Sequence, residues 1–119
     1  MKVFECTFNF MTYYHCHIYF NQNSKSQVLS GLENLMNQNF KSLRLMQIVD
    51  RPIGPHPMPM IELHFIDTDK SNIIEYLKNK PEFSSILIHE VTDSDKKDHS
   101  TGATWVGEKL EINFSVFRT

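Results

Sequence analysis

Tyr13-Tyr14-His15-Cys16-His17-Ile18-Tyr19-Phe20 is the stretch that decides the fold. It is rich in aromatic and β-branched residues, which fit a pleated, half-buried surface. Successive side chains on a strand point to opposite faces. Cys16, Ile18 and Phe20 make one apolar set and turn to a core. His15, His17 and Tyr19 then turn the other way. A strand with two such faces requires different neighbours on its two sides.

On the C-terminal side of this strand, Asn21-Gln22-Asn23-Ser24 is a turn, and Ser24 is placed to cap a helix. Val28, Leu29, Leu32, Leu35 and Met36 recur at helical spacing and predict that amphipathic helix over 25–39. A second strand is expected over 43–49. The next ten residues, Asp50 to Pro59, hold four prolines and one glycine, so they form a rigid loop. Residues 60–66 alternate as a third strand. A second helix starts at 67–69, carries Ile73, Ile74, Tyr76 and Leu77, and ends before Pro81. A fourth strand is expected over 84–89, a polar loop over 90–101, a turn at Gly107-Glu108, and a last strand over 110–116.

The order β-α-β-β-α-β, with a C-terminal strand extension, is the α+β ferredoxin-like pattern of two split β-α-β units. Right-handed crossovers put the first strand at the centre, beside the third and fourth. The helices cover one face of the sheet. The tail, a second subunit or a ligand must cover the other. Parity then sorts the side chains. On the third strand Ile61, Leu63 and Phe65 face the helices, leaving Glu62 and His64 opposite. On the fourth, Ile86 and Ile88 face in with Ser84, leaving Leu87 and His89 out. His15, His17, His64, His89 and Glu62 are thus expected on one face. A one-residue slip in any strand would reverse its set.

Composition bounds what that face can do. The chain has 119 residues, 40% of them hydrophobic and 22% charged, which fits one globular domain over 1–119. Twelve Lys and Arg against fourteen Asp and Glu give a net charge of -2, which excludes the basic footprint of a general nucleic-acid binder. Only four glycines occur where average usage would give roughly eight, so a glycine-rich phosphate loop is hard to build. Cys6 and Cys16 are not a disulfide framework, and a reducing, cytoplasmic setting is expected. Residues 1–12 read as a short leader or extra strand, without the pattern of a signal peptide. No run of about 18 apolar residues occurs, so no membrane association is expected. Histidine, at six, outnumbers glycine.

Two histidines at i and i+2 of a strand lie about 6–7 Å apart along it, two rises of roughly 3.3 Å. Nitrogens so spaced can both reach one ion at about 2.0–2.2 Å. A third ligand from an adjacent strand leaves open positions, the geometry used by non-haem Fe(II) that must take dioxygen and substrate. His56, in Gly54-Pro55-His56-Pro57, is held by flanking prolines, which suits an acid–base group or a substrate clamp. Its plain alternative is an incidental histidine in a stiff connection. His99 follows Asp98, and a carboxylate can orient an imidazole and raise its basicity. On spacing alone, however, His99 reads as part of a polar surface loop. His64 can be a ligand by parity or can pair with Glu62. Tyr13, Tyr14, Phe20 and Trp105 read as core or dimer contacts.

Several segments together resemble the DOPA 4,5-dioxygenase family. Tyr14-His15-Cys16-His17-Ile18-Tyr19-Phe20 resembles its Y-H-x-H-x-Y-F opening, and Gly54-Pro55-His56-Pro57 its G-P-H-P segment. Leu87-Ile88-His89, Thr92-Asp93, Asp98-His99-Ser100 and Trp105-Val106-Gly107 resemble its L-x-H … T … D-H-T … W-x-G signature. Ser100 replaces the usual threonine, and Glu90 replaces a proline after His89.

The resemblance implies a small, commonly dimeric α+β ferredoxin-like domain. It also implies extradiol cleavage of a catechol such as L-DOPA by O₂, to a muconic semialdehyde. The ion, Fe(II) or else Zn or another divalent metal, is then expected on His15, His17 and His89. His56 and His99 are expected as catalytic acid–base groups or substitute ligands, and Tyr19, Glu62 and His64 as substrate contacts. Three histidines, or two with the Glu62 carboxylate, remain equal alternatives for the ligand set. The rival expectation is a non-enzymatic homodimer that binds a metal or a small aromatic molecule on the same face.

Overall fold

The computed structural model describes residues 11–117. Residues 1–10, which include Cys6 and most of the expected leader, lie outside the described residues. The elements run β1 (Tyr13–Tyr19), α1 (Lys25–Met36), β2 (Arg44–Val49), β3 (Met60–Ile66), α2 (Asp67–Lys78), β4 (Ser85–Glu90), α3 (Asp95–Asp98) and β5 (Ala103–Gly107). A single 3-10 turn, Phe114–Val116, lies in the tail.

The strands form one sheet in the order β2-β3-β1-β4-β5, every neighbouring pair antiparallel. β1 is central, as the crossovers require. Its register sets His15 opposite His64 on β3 and opposite His89 on β4. His17 lies opposite Glu62 and Leu87. The fold is the α+β ferredoxin-like one, with β5 as the extension at one edge.

The helix face is dry. Cys16, Ile18, Phe20, Ile61, Leu63, Phe65, Ile86 and Ile88 pack there against Val28, Leu32 and Leu35 of α1 and Ile73 and Leu77 of α2. Burying each large apolar side chain contributes about 1.5–3 kcal/mol, so this layer dominates the stability. Asp67 and Asp69 in the first turn of α2 and Lys78 in its last complement the helix dipole. Ser24 does stand at the N-terminus of α1, but its side chain makes no bond into the helix. Its hydroxyl accepts instead from the Asn21 amide at 3.1 Å.

The opposite face is divided. Tyr19, Val49, Met60 and Leu87 are covered by Ile112, with Trp105, Leu110 and Phe117 packed around them. The tail therefore roofs part of the sheet with a small second core, and the histidines occupy the rest. Two expectations are corrected by this arrangement. Residues 110–116 are not a strand; the last strand is Ala103–Gly107, paired with β4. It ends at Gly107, whose φ of 82° and close approach to the Ser84 carbonyl admit only glycine. The polar run after β4 is not all loop either. Ser94 accepts a hydrogen bond from the Lys97 amide at 3.1 Å and starts α3.

Among the described residues no helix is long and apolar enough to cross a membrane. Cys16 is a free, buried thiol.

Candidate metal centre

All six histidines gather on the face away from the helices. β1 supplies His15 and His17, β3 supplies His64, and β4 supplies His89, as side-chain alternation predicts. The proline loop brings His56. Gly54, at φ 56°, turns that loop back so that the His56 amide donates to the Ile53 carbonyl at 3.0 Å. The Asn113 amide then donates to the Pro55 carbonyl at 2.9 Å, tying the loop to the tail. His56 is consequently buried, not an incidental loop residue. His99 comes from the C-terminal end of α3 and is also buried, which corrects its reading as a surface residue.

The rings form a continuous cluster. Centroids lie 4.2 Å apart for His17 and His56, 5.5 Å for His17 and His89, 5.3 Å for His15 and His89, and 4.6 Å for His89 and His99. They line a cavity of about 220 Å³ together with Pro55, Glu62, Val91, Asp95, Asp98 and Phe117. That is below the roughly 300–1,000 Å³ of sites for drug-sized ligands, and suits a single ring. Tyr19 and His64 do not line it. The Tyr19 hydroxyl is buried and shares a 2.7 Å hydrogen bond with Nδ1 of His56. His64 stacks on the outer side of His15, with centroids 3.8 Å apart and planes within 5°.

The nitrogens carry the chemical argument. His89 donates its Nδ1–H to the Glu90 carbonyl at 2.9 Å, and His99 donates its Nδ1–H to the Asp95 carbonyl at 2.7 Å. Each bond fixes the tautomer with the Nε2 lone pair free, the arrangement common behind metal-ligating histidines. Asp98 does not orient His99, as adjacency in sequence had implied. Its buried carboxylate accepts from the Thr92 amide and hydroxyl and stands 3.9 Å from His89 Nδ1. Nε2 of His89 and both ring nitrogens of His17 are buried with no hydrogen-bond partner. A buried polar atom without a partner costs about 1–3 kcal/mol, so three in one spot require another explanation.

The protonation states point the same way. Burial, with repulsion from His64 and His89, lowers His15 to about 4. Burial and neighbouring histidines lower His17 well below the usual imidazole value, and lower His56 to about 4. Burial lowers His89 as well, against the opposing pull of its bond to Glu90. Burial alone would raise the Glu62 carboxyl, but hydrogen bonds from Gln47 and His64 outweigh it and hold the group below its usual value. At neutral pH His15, His17, His56 and His89 are thus uncharged, the form that binds metal.

Three donor sets have ligand atoms within 4.8 Å of one another: His15, His17 and His89; His17, His56 and His99; and His15, Glu62 and His64. The first set was expected from sequence, and the second shares His17 with it. Asp95, Asp98, Val91 and Phe117 were not singled out as wall residues. Their signal was weak, since loop and tail positions have no periodicity to place them.

The Dopa 4,5-dioxygenase family model matches residues 14–116. A DOPA 4,5-dioxygenase of Amanita muscaria is 28% identical over 109 residues, which is 86% of this chain and 48% of that one. An uncharacterised 21.2 kDa protein of Botryotinia fuckeliana is 30% identical over 112 residues, 86% of this chain and 61% of that one. The chain therefore spans only about half to three-fifths of the length of these relatives. A solved structure from Nostoc punctiforme, described as a candidate dioxygenase, superposes with a TM-score of 0.80 at 27% identity, over 89% of this chain and 90% of that one.

Proposed function

The chain belongs to the Dopa 4,5-dioxygenase family, and we propose that it is a metal-dependent extradiol dioxygenase acting on a catechol. The observation that carries this reading is the partnerless nitrogens. His17 and Nε2 of His89 are buried, uncharged and unpaired beside a third imidazole, His15. Two members of that set lack partners, against one in the set of His17, His56 and His99. We therefore assign the ion, Fe(II) by preference over Zn, to His15, His17 and His89.

Bound there, the ion would lower the pKa of the diol and bring it and O₂ to one centre. The protein does the rest. His99, with Nδ1 pinned to Asp95, offers its Nε2 lone pair to accept a diol proton. His56 shares a proton with the Tyr19 hydroxyl and can return one as the ring opens. Tyr19 thus acts through His56 and not on the substrate. Pro55, Val91 and Phe117 give the cavity apolar walls, and Glu62 stands at its side. Both oxygen atoms of O₂ end in the muconic semialdehyde, so no external reductant is consumed. The same reading includes an L-DOPA-like substrate, a homodimer and a cytoplasmic location.

The test is anaerobic reconstitution with Fe(II), then oxygen uptake and absorbance with a catechol panel. A yellow semialdehyde formed with one O₂ per catechol supports the assignment. Stoichiometric iron without oxygen consumption across the panel overturns it and leaves the binding-protein reading. His15→Ala with His17→Ala should abolish tight metal binding, and retained stoichiometric metal would reject the ligand set.

A further inference from the structure

The third donor set is centred on Glu62 and His64, on the strand that follows the Gly54-Pro55-His56-Pro57 motif. Glu62 and His64 occupy i and i+2 of β3, and His15 is the register partner of His64 on β1. All three therefore project from the same face of the sheet. Oε2 of Glu62 faces both imidazoles, accepting the Nε2–H of His64 at 2.6 Å and lying 4.0 Å from Nδ1 of His15. The stacked, nearly parallel rings present their edges side by side toward that oxygen.

Two features separate this cluster from an ordinary surface hydrogen bond. Glu62 has a side chain only 15% exposed, and among the described residues no lysine or arginine pairs with it. A carboxylate so enclosed needs a counter-charge. Its second oxygen is also held, since the Gln47 side-chain amide donates to Oε1 at 2.7 Å. A ligating carboxylate that is itself held by a hydrogen bond is characteristic of metal sites.

We infer that His15, Glu62 and His64 form a second, outer divalent-cation site at the half-exposed rim of the histidine pocket. Two imidazoles and a carboxylate suit Zn(II) and the later first-row divalent ions. The site rests on the catalytic assignment in one respect, since it draws on the same His15. A neutral imidazole has one free lone pair, so His15 serves one ion at a time. Six of the seven donors, His89 left out, nevertheless divide without overlap into His15, Glu62 and His64, and His17, His56 and His99. The chain can therefore hold two ions at once, but with the outer one on His15 the inner one leaves the catalytic set of His15, His17 and His89 for His17, His56 and His99, so the doubly loaded chain is expected to be inactive.

Equilibrium dialysis of metal-free protein against graded Zn(II), read by elemental analysis, tests this. Wild type should take two equivalents per chain, the second more weakly. Glu62→Gln combined with His64→Ala should lose one equivalent and keep the tight one. An isotherm unchanged in that double variant overturns the outer site. His64→Gln, which keeps a polar side chain at a half-exposed position, repeats the measurement if the double variant fails to fold. His17→Ala separates the two readings. It should remove the tight equivalent alone, and if it removes none the inner assignment fails while the outer site is judged by the double variant.

Discussion

The two faces of the sheet come from the same strands and differ in everything else. On the helix side, Cys16, Ile18, Leu63 and Ile88 bury apolar surface against α1 and α2. On the other side, the intervening positions His15, His17, Glu62 and His89 line a polar pocket with unpaired buried nitrogens, and His64 stacks beside it. The helix face lowers the free energy of the fold, while the histidine part of the other face raises it to hold chemistry in place. Because alternation separates them residue by residue, a change on one face should leave the other face's property largely intact.

The largest effect should come from the dry face. Leu63→Ala removes a fully buried side chain from the layer between β3 and the helices and should cost about 2–5 kcal/mol in urea denaturation. Metal stoichiometry at low temperature should persist. Loss of metal from a still-folded Leu63→Ala would break the proposed separation of the faces.

The next largest effect should have the opposite sign. His17→Leu replaces two partnerless buried nitrogens with apolar atoms of similar volume, so the metal-free protein should gain about 1–3 kcal/mol. It should at the same time lose the inner ion. A destabilised metal-free variant would mean that His17 has a structural partner after all.

Between about pH 6.5 and 4, acid should act mainly through the histidine face. His15 and His56 stay neutral in the fold down to about 4, whereas the unfolded chain protonates near 6.5. The unfolded state then binds more protons across that interval. The stability of metal-free protein should be complete above about pH 6.5 and fall as the pH drops toward 4. Denaturation midpoints measured across that window check the sign, and His15→Leu should flatten the slope.

The smallest effect should come where the faces meet the tail. Tyr19→Phe keeps the stacking on Trp105, at 6.0 Å between centroids, and deletes the hydroxyl that bonds His56. It should cost about 0.5–1.5 kcal/mol of stability. Turnover should fall through kcat with KM little changed, since Tyr19 lies off the cavity wall.

Regular elements were legible in the sequence because period-2 alternation needs only one correct residue to place the rest. His15, His17, His64 and His89 follow from parity on three strands. His56 and His99 do not, because a loop and a one-turn helix have no such period. Flanking prolines marked His56 as a held side chain, but only the resemblance put it and His99 together with the strand histidines. The four residues of α3 were missed for the same reason. They bury little apolar surface, and Ser94 was the single cue. The tail defeated the reading differently. Leu110, Ile112 and Phe114 alternate as in a strand, yet β5 had already taken the sheet edge beside β4.

His15 and His17 sit on the central strand, hydrogen-bonded along both sides by β3 and by β4. Neither residue can shift its Cα without breaking two ladders at once. The bite between their imidazoles is therefore set by the backbone and not by the ion. Such a site selects by radius. A large, flexibly hydrated cation such as Ca(II), with bonds of about 2.3–2.6 Å to oxygen, finds neither the span nor the donors it needs. A first-row transition ion finds both already in place.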